Sequence, residues 1–185
     1  MPRLDDILDQ IKTREANSTA RQPWNPSLCG DIDIRIASDG TWYHEGSPFR
    51  REQLVKLFAS VLRREADGEY YLLTPAEKMR IRVDDAPFVA VQVEQLTEPQ
   101  PSLLFTTNLG EQVVADAEHP IRVEFDPTNG QPRPYIHFRD NLDALISRNV
   151  YMALVDIGEL FRQDGHSHLG VTSQGVRFDL GSIDE

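Results

Sequence analysis

Cysteine is all but missing from this chain of 185 residues, and Cys29 stands alone. A single thiol excludes an internal disulfide framework. Long apolar runs are missing too. None approaches the roughly 20 residues that cross a bilayer. The opening MPRLDDILDQIKTR spaces its apolar residues and interrupts them with acids, so it lacks the core of a signal peptide. A cytoplasmic location is the simplest expectation. There is no excess of basic charge either: 30 acids face 19 bases, for a net charge of −11. Nucleic-acid affinity rests on Lys and Arg neutralising phosphates, so neither nucleic acid nor membrane is expected as a partner. A small anion in a local basic pocket stays open, because close contacts outweigh a screened global field. Catalytic signatures are absent as well. There is no GxGxxG or Walker sequence, and Ser167 and Ser173 lie in no G-x-S-x-G context. Cys29 has neither an adjacent histidine nor a CxxC partner, which argues against a nucleophile and for a small buried residue. No cofactor is implied and no catalytic residue is assigned.

What is present is a well-patterned globular chain, 39% hydrophobic and 26% charged. Leu4, Ile7, Leu8 and Ile11 recur at helical spacing and predict a short amphipathic helix over 3–14. Residues 15–28 lose that period and contain Pro23 and Pro26; they read as an extended linker anchored by Trp24. Ile32, Ile34 and Ile36 then alternate with Asp31, Asp33 and Arg35, the pattern of a half-buried strand. SDG at 38–40 turns the chain and TWYHEG returns as its partner. Ser47 and Pro48 read as N-cap and first-turn proline of a helix over 48–65, with Leu54, Leu57, Phe58, Val61 and Leu62 on one face. Strands are expected at 69–74, 78–83 and 88–94, and EPQPS at 98–102 reads as the midpoint. The second half offers strands at 103–107, 111–115, 121–125 and 135–138. A helix follows from Asp140 to about Phe161, with Leu142, Leu145, Ile146, Val150, Ala153, Leu154 and Ile157 on its buried face. Strands at 168–172 and 175–180 end the chain.

The order in the two halves is similar. At a constant offset of 97, Leu72 meets Leu169, Met79 meets Val176, Arg80 meets Arg177, Ile81 meets Phe178 and Val83 meets Leu180. The pattern predicts an α+β fold of two tandem repeats, each wrapping antiparallel strands around a helix. The segments are an N-terminal helix and linker over 1–28, a first repeat over 29–98 and a second over 99–185. The stretch DGHSHLG at 164–170 invites a metal reading through His166 and His168, with His119, His137 or His44 as a further ligand. Its counterpart DGEYYLL at 67–73 places Glu69 and Tyr71 at the histidine positions, which favours a structural reading. D-I-D at 31–33 puts two carboxylates on one strand face, as metal-bound phosphate enzymes do, or as an exposed polar face does. Arg50 and Arg51 sit in a predicted helical first turn, where acids are preferred; local salt bridges or an anion site explain them.

Several longer stretches resemble a bacterial family, domain of unknown function 1285. They are NPSLCGDIDIRIASDGTWYHEGSPFRREQLVKLFASVL, GEYYLLTPAEKMRIRVDDAPF, LLFTTNLGE, PRPYIHFRDNLDALISRNVYMALVD and LGVTSQGVRFDLG. Together they cover about residues 23–181. The resemblance implies a duplicated α+β core whose second half is like a pleckstrin-homology sheet and helix. It further implies a cleft between the halves for a nucleotide-like ligand and a role in signalling; it carries no activity. The family's polar motif positions fall here on Thr74, Glu77, Lys78, Asp85, Thr107, Asn108, Tyr135, Arg139 and Arg148, of which Asp85 and Asn108 read as turn-formers or caps.

Three functions follow. The first is a non-enzymatic ligand-binding or signalling module. Its small anionic ligand is expected between the halves, on Lys78, Arg139, Arg148 and Arg50, with Glu77, Thr74, Asn108 and Tyr135 nearby. The second is a protein-interaction module using exposed strand edges or the N-terminal helix. The third is a hydrolase or transferase in which Asp31, Asp33 or Glu77 holds a divalent metal. A basic, concave surface between the halves favours the first, a flat exposed apolar patch the second, and carboxylates converging in a pocket the third.

Overall fold

The computed structural model describes residues 4–15 and 24–183. The chain divides after Asp85 into two compact units. The first opens with helix α1 (Leu4–Glu15), followed by strands β1 (Leu28–Ile36), β2 (Trp42–His44) and β3 (Ser47–Pro48). Helix α2 (Glu52–Ser60) leads into β4 (Leu62–Arg64), β5 (Tyr70–Leu73) and β6 (Lys78–Val83). These strands form one sheet in the order β3-β2-β1-β6-β5-β4. The central pair β1 and β6 is parallel and the other neighbours are antiparallel. Strand alternation puts Ile34, Ile36, Leu72, Met79 and Ile81 on one face, and all are buried. Val55, Leu57 and Phe58 of α2 join this core. Ile7, Leu8 and Ile11 bury the apolar stripe of α1. Gln10 fastens that helix: Thr74 Oγ1 donates to its Oε1 at 2.7 Å, and its Nε2 donates to Glu77 at 3.3 Å. Part of the expected linker, 16–23, lies outside the described residues; Trp24 is tied down by Arg63 Nη1, which donates to its carbonyl at 3.1 Å.

The second unit begins with β7 (Phe88–Leu96), β8 (Ser102–Thr107), β9 (Gln112–Val114), β10 (Ile121–Phe125), β11 (Pro132–Arg139) and β12 (Leu142–Ile146). Their order is β10-β11-β12-β7-β8-β9, again with the first and last strands parallel at the centre. Raising each strand number of the first sheet by six reproduces the second, so the α+β duplication runs through the sheets. Helix α3 (Arg148–Ile157) follows, then a three-stranded antiparallel sheet of β13 (Glu159–Gln163), β14 (His166–Ser173) and β15 (Val176–Ser182). The boundary expected at 98 therefore moves to 85. EPQPS only turns β7 into β8, where Leu96 pairs with Ser102.

Both longer helices are shorter than their apolar periods suggested. Ser47 and Pro48 pair with β2 instead of capping α2, whose N-cap is Arg51 with no side-chain bond. Leu62, counted on the helical stripe, is buried from strand β4. In the second half, Asp140 and Asn141 adopt φ of 49° and 62°. Such left-handed pairs turn hairpins, and here they turn β11 into β12. Leu142, Ala144 and Ile146 are buried in strict alternation. Ser147, not Asp140, caps α3, its side chain accepting from the Val150 amide.

The constant offset of 97 has a partial structural basis. Helix plus three-stranded meander occurs twice, as α2-β4-β5-β6 and as α3-β13-β14-β15. The first copy completes a larger sheet and the second stands as its own. The register slips by one: Leu62 pairs with Leu72, whereas Leu169 pairs with Leu160 and not with Glu159. The final hairpins also match in order and not residue by residue: Leu72 pairs with Met79, whereas Leu169 pairs with Gly181 and not with Val176.

Candidate binding surface

The residues expected to hold an anion are mostly engaged. In the first unit, Lys78 Nζ bonds Glu65 and lies 4.3 Å over the Tyr71 ring. Arg63 bonds the same carboxylate. The hydrogen bond from Lys78, then that from Arg63, holds the Glu65 carboxyl below its ordinary range. Tyr71 in turn donates to Asp67 at 2.6 Å. That bond lowers Asp67 and pushes the phenol up to about 12. Thr74 and Glu77 belong to the turn that holds α1. In the second unit, Arg139 lies 3.5 Å from Glu111 and 3.6 Å from Asp140, with its guanidinium 5.5 Å from the Phe88 and Phe138 rings. Asn108 Oδ1 accepts from the Val89 amide at 3.0 Å, a turn-forming role. Tyr135 is buried under the Arg122 guanidinium at 4.5 Å. Arg50 and Arg148 differ: both are exposed and neither has an ion pair among the described residues.

The D-I-D carboxylates do not converge. Arg80 grips Asp31 through two bonds of 2.9 Å, Arg82 holds Asp33 at 2.7 Å, and Asp84 holds Arg35 at 3.0 Å. These three pairs tie β1 to β6 and its following turn. An open hollow of about 590 Å³ lies there, lined by Asp31, Asp33, Glu69, Arg80 and Arg82 among others. The Arg80 hydrogen bond holds Asp31 below its usual range. The histidines are also placed by neighbours. His168 Nδ1 is 2.8 Å from Asp179 and its ring packs 5.5 Å from Phe161. His119 and His137 stand 6.3 Å apart, each beside its own aspartate, Asp116 and Asp143. Cys29, expected to be buried, is exposed near the start of β1. Among the described residues, no three His, Cys, Asp or Glu side chains gather in a metal-holding group.

The C-terminal sheet carries a surface of another kind. Side chains on a strand alternate between faces. Leu160 pairs with Leu169, and Leu169 with Gly181. Phe125, at the end of β10, extends the row: a Cβ on Gly181 would stand 3.0 Å from its ring. One row along, the Ile183 amide donates to the Ser167 carbonyl at 2.9 Å. Ser167 and Leu169 are two apart, so Leu160, Leu169, Phe125 and Ile183 share one face. Farther along β14 that face carries Val171 and Ser173, both buried. Its near end is open: Leu160 is 68% exposed, Phe125 53% and Ile183 50%. Leu62, which pairs with the matching leucine of the first meander, is only 3% exposed. In the first unit α1 packs against α2, whereas α3 is the single helix among the described residues of the second. Sequence reading missed this face because it placed Leu160 inside a helix.

Charge is unevenly divided. The first unit has 15 acids and 13 bases, the second 15 acids and 6 bases. Near the open face, Glu124 and Asp126 flank Phe125, Glu159 precedes Leu160, and Asp164 turns the hairpin. Arg162 is the one base of β13.

Two family models match the chain. The N-terminal domain of a domain of unknown function (DUF1285) matches residues 21–86, and the C-terminal domain of a protein of unknown function (DUF1285) matches 87–180. The break between them agrees with the division after Asp85. A crystal structure of a DUF1285 family protein from Silicibacter pomeroyi DSS-3 is 45% identical, covers 94% of this chain and 95% of its own, and has a TM-score of 0.80. A second, from Shewanella baltica OS155, is 28% identical and covers 66% of this chain and 90% of its own, with a TM-score of 0.52. No curated protein matches.

Proposed function

The chain belongs to the DUF1285 family, and from that premise we propose that it is a non-enzymatic interaction module that docks a protein partner on the open face of its C-terminal sheet. The observation that carries this reading is Leu160. It occupies the strand position that is buried in the first meander, yet it stands 68% exposed beside Leu169, Phe125 and Ile183. Contiguous exposed apolar surface on a soluble unit marks interaction sites. Competing readings find less support, since Lys78 and Arg139 face acids and Asp31 and Asp33 face arginines. The test is photo-cross-linking in the native cell, with a photoreactive residue at position 160 and, as control, at position 82 on the charged face of the first sheet. Discrete protein adducts at 160 and none at 82 support the reading; adducts at neither position, or equally at both, contradict it.

A small anionic, nucleotide-like ligand is a second reading, favoured by the exposure of Arg148 and Arg50 without an ion pair among the described residues. Arginine's planar fork suits phosphate. Calorimetric titration of nucleotides into wild type and Arg148→Ala decides it. Absence of binding at millimolar ligand, or equal binding by both proteins, removes that role from Arg148.

A further inference from the structure

Resting on the docking reading above, we infer that the partner presents an extended basic segment, which adds itself as a strand to β13 and lays alternate apolar side chains against Leu160 and Leu169.

The first support is the edge itself. A sheet edge presents unpaired backbone N–H and C=O groups, and proteins blunt such edges by shortening, bending or covering them. In the first sheet the edge strands β3 and β4 are two and three residues long, and β9 in the second has three. The other edges, β10 and β15, pack against each other. β13 is five residues long, lies at the outside of its sheet, and pairs with β14 without a bulge. It contains no proline. It is thus the longest edge left open among the described residues, and its exposed leucine points to the apolar face. A strand added here gains backbone hydrogen bonds, and its alternate side chains extend the row from Leu160.

The second support is charge. The unit bearing this edge has 15 acids against 6 bases. Glu159 and Asp164 bracket β13; Glu124 and Asp126, which flank Phe125, already pair with Arg122 and Arg133, so the acids at the edge itself carry the attraction. A segment whose remaining positions are Lys or Arg is steered toward this surface and held in register on it. A second copy of this chain would bring the same acid excess to the contact, and anionic lipid would be repelled by it.

The test uses the full chain. Random peptides displayed on phage are selected on wild type and counter-selected on Leu160→Asp, with Leu160→Ser in its place should the aspartate disturb the sheet. The expected consensus alternates apolar residues with Lys or Arg. The synthetic consensus peptide should bind wild type, weaken as salt rises, and lose about tenfold or more in affinity for the Leu160 variant, the scale of one leucine contact. A consensus rich in acids, or without alternation, overturns the basic-strand inference and leaves the docking face standing. Failure to recover any peptide that distinguishes wild type from the variant overturns the docking reading itself. Concentration-dependent dimers that Leu160→Asp dissolves, seen by sedimentation, assign the edge to a second copy and overturn the inference.

Discussion

Replacing Leu154 with alanine removes most of a side chain that is 0% exposed at the centre of α3. Deleting a fully buried leucine costs about 2–5 kcal/mol, from lost transfer energy plus the cavity left behind. For a unit of this size each kcal/mol lowers the melting temperature by roughly 4–8 °C, so the expected drop is on the order of 10 °C or more. The same substitution at Leu160, 68% exposed, should change stability by no more than about 0.5 kcal/mol. The pair holds the chemistry constant and varies only burial. Calorimetry or far-UV circular dichroism is the right assay, because both tryptophans, Trp24 and Trp42, lie in the first unit and would report the wrong one by fluorescence. Leu154→Asp should not accumulate as folded protein, since an unpaired buried carboxylate costs several kcal/mol against a total stability of about 5–15. A Leu154→Ala protein melting within a few degrees of wild type, or equal losses at the two leucines, would refute the assignment of core and surface.

Other consequences can be checked alongside. Ser173 is buried, donates to the Ala115 carbonyl at 2.6 Å and accepts from the Leu103 amide at 2.8 Å. Ser173→Ala leaves both backbone groups unsatisfied and should cost about 1–3 kcal/mol by urea unfolding. Gly170→Ala would put a Cβ 2.7 Å from the Phe161 ring and 2.9 Å from the Phe178 carbonyl, so a loss of about 1–3 kcal/mol is expected in the same assay. The Tyr71–Asp67 bond makes stability depend on pH at both ends. Raised to about 12, the Tyr71 phenol contributes stability that is complete below its ordinary value of 10 and disappears as pH climbs through 12. Asp67 and Glu65 are lowered, so their contribution is present above the ordinary carboxylate range and is lost as pH falls below that range through their lowered values. The stability gap between wild type and Tyr71→Phe should therefore narrow on going from pH 10 to 12; a constant gap would break this linkage.

Strands with a clean period of two were legible in the sequence. Ile32, Ile34 and Ile36 lie on β1 as expected, and 78–83 and 121–125 are strands with those bounds. Helix lengths were not. Over a few residues, apolar positions of a buried strand also fit a helical stripe, and Leu142, Leu145 and Ile146 did so although alternation governs β12. The positive φ at Asp140 and Asn141, which ends the ambiguity, is a turn signal that Asp-Asn gives more weakly than Asn-Gly. The candidate site was hidden for a different reason. Leu160 reaches the Leu169 face through a one-residue slip relative to the first meander, since a slip of one exchanges the two faces of a strand, and its exposure there depends on what covers that face, which no local pattern shows. The partners of the basic residues were equally out of reach, since Asp31–Arg80, Asp33–Arg82 and Arg35–Asp84 each join residues 49 apart.

Hydrogen exchange on the complex with the selected peptide tests the docking face most directly. Amides of 159–163 should become protected on binding, while those of the short edge strand at 112–114 and of the charged first-sheet strands at 28–36 and 78–83 stay unchanged. Protection confined to the first unit, or unchanged exchange along β13 at saturating peptide, would contradict the account.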